Sequence, residues 1–256
     1  MRKKLICAVI IFFLALVMSC NKDFYPWAGT VSHHSLAHEY IEAWFSNLSR
    51  MRNPKRFFII SPDHYRLSLE QYSLTAGSWN SGFGAVESDV SKVMEIVEQL
   101  GVELDERVFE MEHGVYVLMP YIKKYFPQSK VVAVIISGEP EVNILTAGRL
   151  ADILEKEFDK EGKLENFLII SSDFSHNGNK KETRINDELS KKYLMNTSGV
   201  SWNTVRCDNV SGIYILDRLG KKNMESRMLF HTDSRKISGH DQDITSYFFT
   251  FFGDKE

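Results

Sequence analysis

Phe167-Leu168-Ile169-Ile170-Ser171-Ser172-Asp173-Phe174-Ser175-His176 is the stretch whose reading decides the fold. Four large apolar residues run together without alternation and then stop at two serines and an aspartate. The run is too short for a helix, and its continuity fits a strand buried on both faces. Phe57-Phe58-Ile59-Ile60-Ser61-Pro62 repeats the pattern upstream, and Val131-Val132-Ala133-Val134-Ile135-Ile136 is a third apolar run. Phe58, Ile60, Val132, Val134, Leu168 and Ile170 are therefore expected in the core, on strands that end at one shared crevice.

Outward from these runs, apolar residues recur at helical spacing. Leu36, Tyr40, Ile41, Trp44, Phe45 and Leu48 mark an amphipathic helix that Pro54 ends, and Val90–Leu100, Val115–Tyr125 and Ile144–Phe158 carry the same period. Ser246–Phe252 is aromatic and strand-like. Strands alternating with helices predict a single α/β domain whose central sheet is mostly parallel or mixed, with helices flanking it.

In open α/β sheets, the polar residues just past the C-terminal ends of strands line the ligand crevice. Three strand or helix ends here carry histidine: His33-His34 before the first helix, Pro62-Asp63-His64 after one strand, and Asp173 to His176 after another. Glu112-His113 opens the helical stretch leading to Met119-Pro120-Tyr121. One histidine at a strand end is ordinarily a hydrogen-bonded loop residue, but three on ends that converge suggest a metal site. Imidazoles with carboxylates suit iron, zinc, copper or manganese, and do not suit magnesium or calcium. His34 and His38 stand four apart, yet no glutamate lies between them in a zincin arrangement, so they read as surface residues. There is no Gly-x-Ser-x-Gly elbow for nucleophilic catalysis. The net charge of −3 with no basic stripe argues against nucleic acid.

The chain opens with Arg2-Lys3-Lys4, an unbroken apolar run from Leu5 to Met18, and Val17-Met18-Ser19-Cys20. A charged start, an apolar run of the length of a signal h-region and a small residue before cysteine read as a bacterial lipoprotein signal. Residues 1–19 are then the signal peptide, Cys20 the lipid attachment site, 20–29 a short tether and 30–256 the folded domain. The protein is expected outside the cytoplasm, its one partner surface read from the residues being the membrane that holds the lipid. Of the three cysteines only Cys207 remains in the mature body, so no internal disulfide forms.

Thr30–Leu48, Arg56–His64, Glu112–Tyr121, Phe167–Gly178 and Cys207–Leu216 together resemble, in order, the Memo-like family, known in bacteria as AmmeMemoRadiSam system protein B. The resemblance lies in Ser32-His33-His34, Pro62-Asp63-His64, Glu112-His113 with Met119-Pro120-Tyr121, and Ser171 to His176 with Gly178. It implies a fold like that of class III extradiol dioxygenases and a transition metal, iron or copper foremost and zinc as a further option. It also implies His33 and His64 as ligands, His176 as an acid/base group oriented by Asp173, and Glu112 and His113 lining the pocket. A small-molecule substrate and radical-SAM-system partner proteins follow from the same resemblance. Ser32 departs from the family's proline. The third ligand has no counterpart at Lys236–His240; His240, Asp241 or Asp243 are the substitutes to consider, and Cys207 is expected to pack. A non-catalytic metal- or ligand-binding accessory protein and a metal-assisted hydrolase are the competing readings.

Overall fold

The structure is a computed structural model that describes residues 24–137 and 144–255. Cys20, the signal segment and the first part of the tether lie outside these residues. A seven-stranded mixed sheet forms the centre, with strand order β3-β6-β2-β7-β1-β9-β8. The strands are β1 (Pro26–Val31), β2 (Arg56–Pro62), β3 (Tyr72–Leu74), β6 (Lys130–Ile136), β7 (Asn166–Ser171), β8 (Met224–Asp233) and β9 (Ser246–Asp254). A separate hairpin pairs β4 (Ser78–Ser81) with β5 (Gly84–Glu87). β6, β2, β7, β1 and the edge strand β8 run in one direction, while β3 and β9 run against them.

The three apolar runs are β2, β6 and β7, adjacent and in register from Arg56, Lys130 and Asn166 onward. Their side chains alternate between two cores. Phe58, Ile60, Val132, Val134, Leu168 and Ile170 are fully buried on one face, under α2 (Val90–Leu100), α4 (Ile144–Leu154) and α6 (Val210–Gly220). Phe57, Ile59, Val131, Phe167 and Ile169 fill the other, under α1 (His38–Met51) and α3 (Met119–Tyr125). Burial on both faces is why these strands read as continuous apolar runs. A sixth long helix, α5 (Lys180–Met195), starts at a capping box between Asn179 and Glu182. No helix among the described residues is long and apolar enough to cross a membrane.

Two boundaries differ from expectation. Residues 26–29, read as the end of the tether, are the start of β1, an internal strand between β7 and β9, with Trp27 1% exposed. Pro26 and Gly29 disguise it, since both residues are depleted from strands. Pro26 stands at the strand's first position. At Gly29 a Cβ would lie 2.5 Å from the Thr250 carbonyl oxygen and 2.6 Å from the Trp44 ring. The bare backbone is what lets α1 lay Trp44 on the sheet. The helical stretch read over Val115–Tyr125 is divided into His113–Tyr116 and α3, with Pro120 in the first turn of α3, where its missing N–H costs nothing.

β7 lies between β1 and β2, so the C-terminal ends of these three parallel strands abut. The chain leaves β1 toward α1 on one face and leaves β7 toward α5 on the other. That divergence opens the crevice.

Candidate metal centre

Each histidine arrives by a short rigid route. β1 ends at Val31 and delivers His33, 1% exposed; its Nδ1 lies 3.0 Å from Ser171 Oγ at the end of β7. That serine in turn donates to the Gly114 carbonyl. β2 ends at Pro62 and delivers His64. Glu112, fully buried, accepts the His64 backbone N–H at 2.9 Å and holds His64 Nδ1 at 2.6 Å. The same carboxylate accepts the Gly114 N–H at 2.8 Å, capping the turn that starts at His113. A Cβ at Gly114 would fall 2.2 Å from Ser61 Oγ and 3.3 Å from His64 Cε1. Only glycine lets the His113–Tyr116 turn approach β2 this closely.

With their Nδ1 atoms held, His33 and His64 direct Nε2 at one carboxylate oxygen. Asp208 Oδ2 lies 3.3 Å from His33 Nε2, 3.5 Å from His64 Nε2 and 3.2 Å from His176 Nε2. Asp208 is itself fixed, accepting Ser172 Oγ at 2.9 Å and the Asp173 backbone N–H at 3.1 Å through Oδ1. The next residue, Asn209, is 2% exposed and donates to the Ile60 and Ser171 carbonyls at 2.8 and 2.9 Å. Its Oδ1 accepts the Gly212 N–H and caps α6. One amide thus ties the ends of β2 and β7 to the helix that carries Asp208.

His113 packs beside the pair, with ring centroids 4.1 Å from His64 and 5.0 Å from His33; its buried Nδ1 lies 3.6 Å from Glu112 Oε1 and has no hydrogen-bond partner among the described residues. Ring nitrogens of His33, His64 and His113 lie within 4.8 Å of one another, as do donor atoms of His33, Asp173 and Asp208. Electrostatics follow the geometry. Burial pushes the His64 imidazole down, but the Asp208 and Glu112 carboxylates outweigh it and raise it to about 10. His33 and His176 are raised as well, against burial, by Asp173 and Asp208 around the first and chiefly by Asp208 beside the second. Burial and the neighbouring His64 and His33 charges push His113 down to about 4. Burial of Asp208 is overcome by the three imidazoles, which hold its carboxyl well below the usual range.

The structure brings His33, His64, Glu112, His113, Asp173 and His176 together and changes some roles. Asp173 does not orient His176. It is 1% exposed and turned inward, accepting Ser32 Oγ at 2.6 Å with Oδ2 3.9 Å from His33 Nε2. His176 meets Asp208 instead, at 3.2 Å. Ser32, in place of the family's proline, donates its Oγ hydrogen to Asp173 and accepts the His34 N–H at 3.0 Å. Asp63 accepts the Leu67 and Ser68 N–H groups and shapes its own loop. His240, Asp241 and Asp243 are exposed on the turn before β9 and do not join the cluster. Cys207 packs against the core, and burial pushes its thiol up to about 12. His38 is exposed on α1.

Asp208 is the residue that reading strand ends misses. It stands at the entrance to a helix, and its signal was the Asp208-Asn209 pair before Val210-Ser211-Gly212, an acid followed by a helix-capping residue.

The profile of the Memo-like protein family matches residues 33–248. The chain is 29% identical to a MEMO1 family protein of Caldivirga maquilingensis over 59% of this chain, an alignment that spans half of that relative. It is 26% identical to a MEMO1 family protein of Pyrobaculum aerophilum, covering 81% of this chain and 76% of that one. A MEMO1 family protein of Sulfurisphaera tokodaii is 25% identical over 90% of this chain and 80% of its own length. Among solved structures, the uncharacterized protein JW3007 from Escherichia coli K12 superposes with a TM-score of 0.55 at 12% identity, covering 87% of this chain and 98% of that one. The last likeness is one of fold alone.

Proposed function

The chain belongs to the Memo-like family, and on that premise we propose that it is a metal-dependent redox enzyme of dioxygenase-like type, with His33, His64 and Asp208 as ligands. One observation carries this reading. Donors that share one ion at about 2.0–2.2 Å stand roughly 3–3.5 Å apart. Asp208 Oδ2 stands 3.3 and 3.5 Å from the two Nε2 atoms, and His33 belongs to both three-donor groups whose atoms lie within 4.8 Å of one another, with His64 and His113 in one and with Asp173 and Asp208 in the other. Both Nδ1 atoms are already held, by Ser171 and by Glu112, which is how ligating histidines are usually oriented. Two histidines and a carboxylate favour non-haem iron(II), with copper and zinc as alternatives.

A bound iron or copper ion would supply redox and Lewis-acid chemistry. The protein's own residues do the rest. Glu112 fixes the His64 tautomer by accepting a hydrogen bond from Nδ1–H, which leaves the Nε2 lone pair for the metal. Asp173 and Ser32 hold the backbone that presents His33. His176 lies at the crevice mouth with its Nε2 on Asp208, where it can take a proton from a bound substrate or return one. We also place the protein outside the cytoplasm, tethered through a lipid on Cys20. Support for that comes from Arg2–Cys20 in the sequence.

Anaerobic iron(II) titration of the metal-free full chain tests the centre. One ion per chain is expected. His33→Ala, His64→Ala and Asp208→Asn should each weaken binding at least tenfold, and His38→Ala should leave it unchanged. If His113→Ala abolishes binding while Asp208→Asn does not, the site is the three-imidazole cluster and the carboxylate reading is wrong.

A further inference from the structure

Beside the metal centre lies a cavity of about 780 Å³, a size suited to a small organic molecule. His176 and Asp208 form part of its wall. Trp202, Val205, Arg206 and Val210 line it as well. We propose that this cavity takes an organic monoanion with a flat apolar body, an arylalkanoate-type acid, whose carboxylate is received by Arg206 and whose ring lies against Trp202. The orientation of the ligand rests on the metal-centre reading above; the anion specificity does not.

The argument starts from Arg206. Its Nη1 donates to the Asn203 and Val205 carbonyls at 3.0 and 3.2 Å, which holds the guanidinium over the cavity wall. Among the described residues no carboxylate forms an ion pair with it, whereas Arg52, Arg56, Arg218 and Arg227 are each bonded to a carboxylate or to several carbonyls. A guanidinium fixed on one nitrogen and free on the others presents a fork that matches a carboxylate. Trp202 is half-buried, packs against Tyr214 with ring centroids 5.0 Å apart, and lines the cavity. Arg206 and Asp208 stand two residues apart on an extended segment, about 7 Å along the chain. An acid held at the first therefore brings the far side of its apolar body to the second. A cationic ligand would meet Arg206 with like charge, and a neutral one would leave it without a counter-charge.

Binding of phenylacetate, phenylethanol and phenylethylamine to the zinc-loaded full chain tests this, with ligand-detected NMR as the readout. Phenylacetate should bind at least tenfold tighter than phenylethanol, and phenylethylamine should not compete. Arg206→Gln should weaken phenylacetate about ten- to hundredfold, the range for a charge-assisted hydrogen bond, and leave phenylethanol unchanged. Arg206→Lys should recover part of the loss, and Trp202→Leu should weaken the acid and the alcohol alike. Equal binding of acid and alcohol by the parent, no loss in Arg206→Gln, or no phenylacetate binding at millimolar concentration would each overturn the proposal. Zinc content, measured separately, keeps the two readings apart. A chain that takes up neither iron(II) nor zinc yet selects phenylacetate through Arg206 refutes the metal centre and sustains the anion site. Arg206 is exposed, so its variants should keep the parent's urea midpoint.

Discussion

Asn209→Ala should show how far the crevice depends on one buried amide. Asn209 makes three hydrogen bonds: to the Ile60 carbonyl at 2.8 Å, to the Ser171 carbonyl at 2.9 Å and from the Gly212 N–H at 2.9 Å. Removing the cap costs about 1 kcal/mol. Each carbonyl loses a donor inside a dry crevice, at about 1 kcal/mol apiece or somewhat more. The total is roughly 3–4 kcal/mol, read as a lower urea midpoint at unchanged slope. It corresponds to a Tm lower by about 10 °C for a domain of this size. Asn209→Asp separates the bonds from the volume. The shape and the α6 cap are kept, but an oxygen now faces two carbonyl oxygens where an NH2 stood. At neutral pH it should destabilise at least as much as alanine. Part of the loss should return in acid, where the protonated carboxyl can donate to one carbonyl. Both variants should also weaken iron binding, because Asp208 loses its footing. An Asn209→Asp protein as stable as the parent at neutral pH, or an alanine variant that loses less than about 1 kcal/mol, would refute the reasoning.

Four further outcomes are expected. Gly114→Ala should lower metal affinity more than stability, since its Cβ would collide with Ser61 Oγ and crowd His64; iron titration beside urea unfolding measures both. Leu168→Ala, in the fully buried core between β2 and β1, should cost about 2–5 kcal/mol, and a change near zero would remove β7 from the core. Burial opposes ionisation of Asp89, but the Arg56 hydrogen bond and the Lys92 N–H outweigh it and hold the carboxyl below its usual value. A depressed folded value means stability that is present above the unfolded pKa of about 3.9 and lost as pH falls through the folded one. Asp89→Asn keeps a capping residue at α2, so it should be less stable than the parent at neutral pH, with the gap closing in acid. Cys20→Ser should leave the chain unprocessed or soluble; membrane fractionation and intact mass decide, and a variant that partitions like the parent with no lipid mass missing would end the lipoprotein reading.

The central strands were legible because β2, β6 and β7 are buried on both faces, and a two-sided strand leaves its apolar run intact in the sequence. The same rule hid β1. Pro26 and Gly29 are there for packing against Gly253 and Trp44, which no local pattern reveals. β8 went unread for another reason: at the sheet edge, with partly exposed residues and a bulge between Met228 and Phe230, it has no clean period. Helix α5 is too polar to signal itself through apolar spacing.

By itself the sequence determined the fold class, the end of the sheet at which chemistry collects, and the histidines that gather there. Apolar periodicity and the residue types at strand ends are local quantities, written in consecutive residues. Tertiary structure alone decided which carboxylate meets the clustered imidazoles. Asp208 lies 175 residues from His33 along the chain, and the hydrogen bonds of Asn209 to two strands, not any spacing, bring it within 3.3 Å. It decided equally that Asp173 serves Ser32 and not His176, because the direction in which a turn sends a side chain depends on the neighbours waiting for it.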